Sequence, residues 1–316
     1  MTSQRRNLIT GITGFAGRCL AQLLLAHQEP VYGIARRSAT LPGVTLLHAD
    51  LSQPAVLAEL LQQICPTHIY HLAGYTHAGR SFKEPQAAWE GNLTLTLHLL
   101  SAMQKYAPEA RLLWVGSGLV YGQPLQPHTP VDEQTLLRPD TPYAASKAAA
   151  DLAAFAAWKS SGLAIVRARP FNHTGPGQSA EFAIPSFARQ LVAIERGQSP
   201  PVLEVGDLQS YRDMSDVRDV VQAYKALMDK GQPGEVYNVA SGVSRSMRAI
   251  LDEMVALTGV SIEVRTRADL LRPSEQTIIH VDTRKIQTEI GWKPQFSFSQ
   301  TLADTLNAWR ALGDHP

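Results

Sequence analysis

Tyr143 and Lys147 stand four residues apart at the head of a helical pattern, Pro142–Ser161, so both side chains fall on one helix face. A phenol, with an ordinary pKa of about 10, is a poor acid–base catalyst near neutrality unless its anion is stabilised. A neighbouring ammonium supplies that stabilisation. Ser117 follows the apolar run Arg111–Val115, which reads as a strand, and its hydroxyl can donate to a carbonyl oxygen. Ser117, Tyr143 and Lys147 together suit proton transfer at a carbonyl. Tyr-x-x-x-Lys alone is common by chance, and as an isolated pair it reads equally well as a solvated helix face. The order of a glycine turn, a strand-end Ser and then Tyr-x-x-x-Lys is far more specific.

That glycine turn is Thr10-Gly11-Ile12-Thr13-Gly14-Phe15-Ala16-Gly17, which follows an apolar run and opens a helical pattern. Gly11 permits a tight turn, Gly14 lets backbone approach a pyrophosphate, and Gly17 lets the helix pack closely on the sheet. The helix N-terminus, around Thr13, Phe15 and Ala16, offers free N–H groups to an anion. The strand–turn–helix setting makes this a dinucleotide site rather than a merely tight turn. An NAD enzyme places Asp or Glu about 20 residues further on to hold the ribose 2′-OH. Here Ala35 and Arg36 occupy that place, with Ser38 beyond. Arg36 can pair with a 2′-phosphate and Ser38 can donate to it, which favours NADPH, with NADH the alternative. Otherwise Arg36 and Arg37 are ordinary surface charges. Asp50 either accepts from the adenine amino group or caps the next helix.

The elements that must position these groups alternate. Strands are predicted at 7–10, 31–35, 44–48, 68–72, 111–115 and 164–169, and helices at 16–27, 54–64, 86–106 and 142–161. Such alternation predicts an α/β fold with a Rossmann-type, doubly wound parallel sheet. Beyond Arg169 turn residues thicken and the pattern loosens, with helices at 182–197, 217–230, 247–258 and 299–312 and short strands near 202–205, 236–239 and 262–264. The expected division is a dinucleotide-binding domain of 1–170 with about 211–240 and 277–286. A smaller, discontinuous C-terminal substrate-binding lobe takes about 171–210, 241–276 and 287–316.

Composition narrows the class. The chain has 316 residues, 29 Lys and Arg against 28 Asp and Glu, and a net charge of +1. Nothing resembles a basic groove for nucleic acid or a polybasic membrane anchor, so anionic ligands depend on a few local cations. Two cysteines, Cys19 and Cys65, give no disulfide framework, and Cys19 is expected on the core face of a helix. No apolar run approaches the ~18 residues that span a bilayer. The polar N-terminus has no apolar signal region. These features predict a reducing, cytoplasmic location. His68, His71 and His77 offer no coherent ligand set for a metal.

Across essentially its whole length the chain resembles the extended short-chain dehydrogenase/reductase family. Within it the chain is most similar to the GDP-4-keto-6-deoxy-D-mannose reductases, which form GDP-D-rhamnose. The stretches that carry the likeness are Arg169-Pro-Phe-Asn-His-Thr-Gly-Pro-Gly-Gln178, Tyr211-Arg-Asp-Met-Ser-Asp-Val-Arg-Asp219, Gly234-Glu-Val-Tyr-Asn238 and Leu271-Arg-Pro-Ser-Glu275. The resemblance implies that Leu51, Leu72, Ala73, Gly74, Arg169 and Phe171 line the cofactor, alongside Tyr143 and Lys147. It implies that Asn172, Arg212, Arg272 and Glu275, with Ser117, meet a sugar-nucleotide substrate. Two arginines suit a pyrophosphate and a Glu suits vicinal ribose hydroxyls. Structural alternatives are ion pairs within Arg212–Asp213, Arg218–Asp219 and Arg272–Glu275. It also implies a homodimer through the helices at 86–106 and 142–161.

Relatives divide into reductases, 4,6-dehydratases and 4-epimerases. A dehydratase must remove the C5 proton and expel the C6 hydroxyl, for which the family uses an acidic pair after the strand-end Ser or Thr. The run here is Ser117-Gly118-Leu119-Val120-Tyr121-Gly122, and neither Gly118 nor Leu119 carries a proton. An epimerase holds NAD tightly, against the NADPH preference read above. The rival of another class is a non-catalytic NADP(H)-binding redox sensor, and such proteins lose the Tyr/Lys pair that this chain keeps. The sequence therefore predicts reduction of a 4-keto sugar nucleotide.

Overall fold

The computed structural model describes residues 5–37, 39–123, 129–270 and 279–313. The first half alternates as the hydrophobic pattern predicts. Its elements are β1 (Asn7–Thr10), α1 (Phe15–Ala26), β2 (Val31–Ala35), β3 (Thr45–His48), α2 (Pro54–Ile64), β4 (His68–His71), α3 (Pro85–Trp89), α4 (Leu95–Tyr106), β5 (Arg111–Val115), α5 (Pro142–Ser161) and β6 (Ile165–Pro170). Between α3 and α4 the predicted single helix passes through a π turn, Glu90–Thr94.

The chain then builds β7 (Asn172–Thr174), α6 (Ala183–Glu195), β8 (Val202–Val205), β9 (Tyr211–Asp216), α7 (Val217–Lys230), β10 (Val236–Val239), β11 (Ser244–Ser246), α8 (Met247–Thr258), β12 (Glu263–Thr266) and α9 (Phe298–Ala311). Seven strands form one sheet in the order β10-β6-β5-β4-β1-β2-β3, and every pair in it is parallel. The strand order reverses at β1 and β4, and ligands in such sheets bind at the carboxyl edge of that switch point.

Both sheet faces are covered. Leu8 packs with α2, α4 and α5 residues such as Leu57, Leu99 and Ala154, while the next residue, Ile9, packs with Leu20, Leu24 and Val220 of α1 and α7. Adjacent strand residues thus serve opposite layers, which is why these strands read as continuous apolar runs. A third cluster, with Phe187, Leu203, Leu251 and Leu302, knits α6, β8, α8 and α9 into a lobe beside the sheet. Two small sheets, β11-β9-β7 and β12-β8, complete the fold. The strands β7, β9 and β11 lie where the sequence predicts only loop.

Candidate active site

Each reactive residue sits at the carboxyl edge of the large sheet. The β1–α1 turn places Gly11 at φ +71°, and a side chain there would strike the backbone of Ala73 at 2.7 Å; one at Gly17 would meet the Gly11 carbonyl at 2.2 Å. The turn is closed by Gly14 N–H donating to the Gly11 carbonyl at 3.0 Å. At the start of α1 no side chain caps the helix and no acid occupies the first turn. The first-turn N–H groups therefore present positive charge to an anion. Arg18, which sequence reasoning passed over, donates to the Thr13 carbonyl at 3.0 Å and adds a cation beside the turn. These features fit a dinucleotide pyrophosphate.

Arg36 lies exposed just past β2 and acts electrostatically on Asp50. Ser38 falls outside the described residues, as do Arg272 and Glu275. Asp50 does not cap α2: its carboxylate accepts from the Ser52 N–H at 3.0 Å, while Gln53 occupies the cap position. The Ser52 bond holds the Asp50 carboxyl below the usual range. Leu51 is buried, and Leu72, Ala73 and Gly74 lie partly exposed at the end of β4. Ala73 N–H donates to Thr10 Oγ1 at 3.2 Å, and the same hydroxyl meets Nδ1 of the buried His71 at 2.8 Å. Burial, then the nearby Lys147 charge, pushes His71 down to about 3, so it is a neutral structural group.

Helix α5 begins where its sequence dictates. Thr141 accepts from the Ala144 N–H at 3.0 Å, and Pro142 takes the first helical position, where a missing N–H costs nothing. Tyr143 is next, its own N–H donating to Ser81 Oγ at 3.2 Å. The side chain is buried, with Ser117 near enough to pull the phenol's pKa down. Ser117 Oγ in turn accepts from Leu119 N–H at 3.2 Å, which fixes it at the head of a 3₁₀ turn, Gly118–Tyr121. One turn along α5, Lys147 Nζ donates to the Val115 carbonyl at 3.1 Å and lies 5.6 Å from the Trp114 ring centroid. Burial pushes Lys147 down to about 8.

The geometry corrects one expectation. Burial raises the Tyr143 phenol above its ordinary value, and Ser117 offsets only part of that. The group is thus held protonated, rather than made acidic by the ammonium.

Three further placements differ from the sequence reading. Arg169, read as a cofactor contact, turns its guanidinium into a buried network. It donates to Asp151 Oδ2 at 2.9 Å and to the Tyr121 hydroxyl at 2.9 Å, while Arg167 donates to Asp151 Oδ1 at 2.5 Å. Phe171 packs against the Ser117 loop: a Cβ added at Gly118 would lie 2.7 Å from its ring. The adjacent ion pairs do not form as imagined. Asp213 accepts from Ser241 and Gly242, and Asp219 from the N–H groups of Gln295 and Phe296. Arg218 instead bridges Asp216 and Asp304. Asn172 lies on β7 and Arg212 on β9, joined in the small mixed sheet.

Sequence reasoning also missed Asn92. Buried in the π turn, it accepts from Tyr75 N–H at 3.0 Å and donates to Ser146 Oγ at 2.9 Å, one residue before Lys147. It ties the loop after β4 to α5. Such π turns often mark functional sites, and Gly91 within a helical pattern was the only available sign.

Comparison with known proteins fits this geometry. The profile of the GDP-mannose 4,6-dehydratase family matches residues 8–305. The chain belongs to that family. Among its relatives, the GDP-6-deoxy-D-mannose reductase of Pseudomonas aeruginosa is 34% identical over 97% of this chain and 98% of its own length. A solved Pseudomonas aeruginosa structure complexed with NADPH superposes with a TM-score of 0.86 at 33% identity, covering 98% of this chain and 99% of that one. The UDP-glucose 4-epimerase of Thermus thermophilus, in complex with NAD, gives a TM-score of 0.87 at 26% identity, covering 98% and 100%. The GDP-mannose 4,6-dehydratase family therefore spans more than one reaction on one fold, and local residues must distinguish them.

Proposed function

We propose that this chain is an NADPH-dependent reductase of a nucleotide-activated 4-keto-6-deoxyhexose, converting GDP-4-keto-6-deoxy-D-mannose to GDP-D-rhamnose. The observation that carries the reading is Tyr143, held protonated by burial next to Ser117, beside a loop with glycine and leucine where dehydration needs acids. The 34% identical reductase supports the choice of substrate. The β1–α1 turn would hold NADPH, whose chemistry when bound would be hydride donation. Residues 11–17 hold its pyrophosphate, Arg36 favours the 2′-phosphate, and Lys147 holds the nicotinamide ribose. As charge grows on the ketone oxygen, Ser117 donates a hydrogen bond and Tyr143 delivers its proton; Lys147 offsets the tyrosinate left behind.

Gly118 gives dehydration a steric obstacle as well as a chemical one. A side chain at that position must displace the Phe171 ring, which is itself stacked on Tyr121 at 6.2 Å. The sugar nucleotide lies between the large sheet and the lobe, against Asn172 and Arg212, with the domain division expected from sequence. A homodimer through the outer faces of α4 and α5 would cover the exposed Leu97, Leu152 and Phe155. We place the enzyme in the cytoplasm; among the described residues no helix is long and apolar enough to cross a membrane.

Product analysis by NMR after mixing enzyme, NADPH and GDP-4-keto-6-deoxy-D-mannose tests the proposal, with GDP-D-rhamnose expected. Turnover of GDP-mannose without added reductant would make it a dehydratase instead. Arg36→Ala should weaken NADPH far more than NADH; equal losses would remove the 2′-phosphate role.

A further inference from the structure

We propose that Leu119 reads the C6 methyl of the sugar, so that this chain selects a 6-deoxyhexose over its 6-hydroxy counterpart; this rests on the substrate reading above. The turn Gly118–Tyr121 leaves β5 at the carboxyl edge of the large sheet, directly after Ser117. Three of its four residues are taken up by the interior. Val120 and Tyr121 are buried in an apolar cluster with Phe171 and Ala148. Gly118 is buried too, and a Cβ added there would lie 2.7 Å from the Phe171 ring. Leu119 alone of the four is exposed, at 36%.

Single exposed leucines are ordinary on a protein surface. Leu119 is set apart by what holds it. Its N–H donates to Ser117 Oγ at 3.2 Å, and its carbonyl accepts from the Gly122 N–H at 3.1 Å. Both backbone groups are thus satisfied, and the residue has only hydrocarbon left to offer a ligand. The first of these bonds also ties Leu119 to the hydroxyl that meets the ketone oxygen in the proposed reaction. A sugar whose C4 oxygen reaches Ser117 brings two neighbours with it: the C3 hydroxyl on one side and, through C5, the C6 group on the other. An alkyl side chain against the C3 hydroxyl would strip its water and replace none of its hydrogen bonds. A C6 methyl loses nothing there and gains apolar contact. The C6 hydroxyl of a 6-hydroxy sugar would be desolvated in the same place without a partner. Leu119 therefore suits the methyl side of a 6-deoxyhexose.

The test uses the NADPH-bound full chain and its Leu119→Ser and Leu119→Met variants, titrated by calorimetry with GDP, GDP-D-rhamnose and GDP-D-mannose. The two sugar nucleotides differ only in the C6 hydroxyl, and neither carries a ketone to be reduced. The native chain should bind GDP-D-rhamnose about tenfold to a hundredfold more tightly than GDP-D-mannose, the span a hydrophobic pocket exerts against an added hydroxyl. Leu119→Ser should abolish most of that preference with GDP affinity unchanged. Leu119→Met, still apolar, should keep it. A preference unaltered in Leu119→Ser, a loss shared equally by GDP, or a native chain that binds both sugars alike would overturn the proposal while leaving the substrate reading intact. A native preference for GDP-D-mannose, or no binding of any of the three, would overturn both.

Discussion

In the proposed reaction Tyr143 hands a proton to a ketone and must keep it until the ketone arrives, and burial favours that protonated state. Desolvation disfavours the phenolate, so the donor stays loaded through neutrality. Replacing Tyr143 by Phe should lower kcat by about 10²–10⁴, the span of a positioned proton donor, with NADPH affinity unchanged in a fluorescence titration. An unaltered kcat would remove Tyr143 from the chemistry. In the proposed reaction Lys147 sets the pH dependence. Its free-enzyme value near 8 means the ammonium is present at pH 7 and lost as pH rises through that value. The ratio kcat/KM for reduction, which reports the free enzyme, should therefore decline above about pH 8. Stability should move the other way. Between about pH 8 and the unfolded lysine value near 10.5, the unfolded chain binds the extra proton, so rising pH favours the fold. A kcat/KM profile flat to pH 10 would contradict the assignment.

At the scale of elements, α5 does two jobs. Its first two turns carry Tyr143 and Lys147, and its middle carries Asp151, fully buried between Arg167 and Arg169 of β6. Removing that carboxylate leaves two buried guanidiniums uncompensated, so Asp151→Ala should cost about 3–5 kcal/mol in denaturant unfolding. A loss below about 1 kcal/mol would mean that water relieves the site. The sequence announced α5 as the helical pattern Pro142–Ser161, and it announced β1, β2 and β5 as apolar runs. It did not announce β7, β9 or β11. Asn-His-Thr, Tyr-Arg-Asp-Met-Ser-Asp and Ser-Arg-Ser are short and polar, with no alternation to read. Their extended state is set by pairing with one another, which is tertiary context rather than propensity. Tyr143, Lys147 and Ser117 were legible because residue type and spacing encode their chemistry. Asn92 and the inward turn of Arg169 were not, since only packing decides where those side chains point.

For the whole molecule, the large sheet positions the cofactor edge and the lobe meets it across a polar seam. Glu181, just before α6, reaches Arg80 at 2.5 Å and His77 at 3.4 Å, both from the loop after β4, while Phe182 stacks on His77 at 5.5 Å. Such exposed ion pairs contribute little stability. On the outer surface, Leu152 is 58% exposed and Phe155 39% exposed on α5. If these faces meet in a dimer, Leu152→Glu with Phe155→Glu should yield monomers in analytical ultracentrifugation while α5 stays folded. A native chain that sediments as a monomer would contradict the dimer. The central claim, hydride delivery to a sugar C4 with Tyr143 giving the proton, is tested most directly with NADPH deuterated at the transferred C4 position. The label should appear at C4 of the 6-deoxyhexose, one atom for each NADPH oxidised. Deuterium at C6, or product formed without NADPH oxidation, would contradict it.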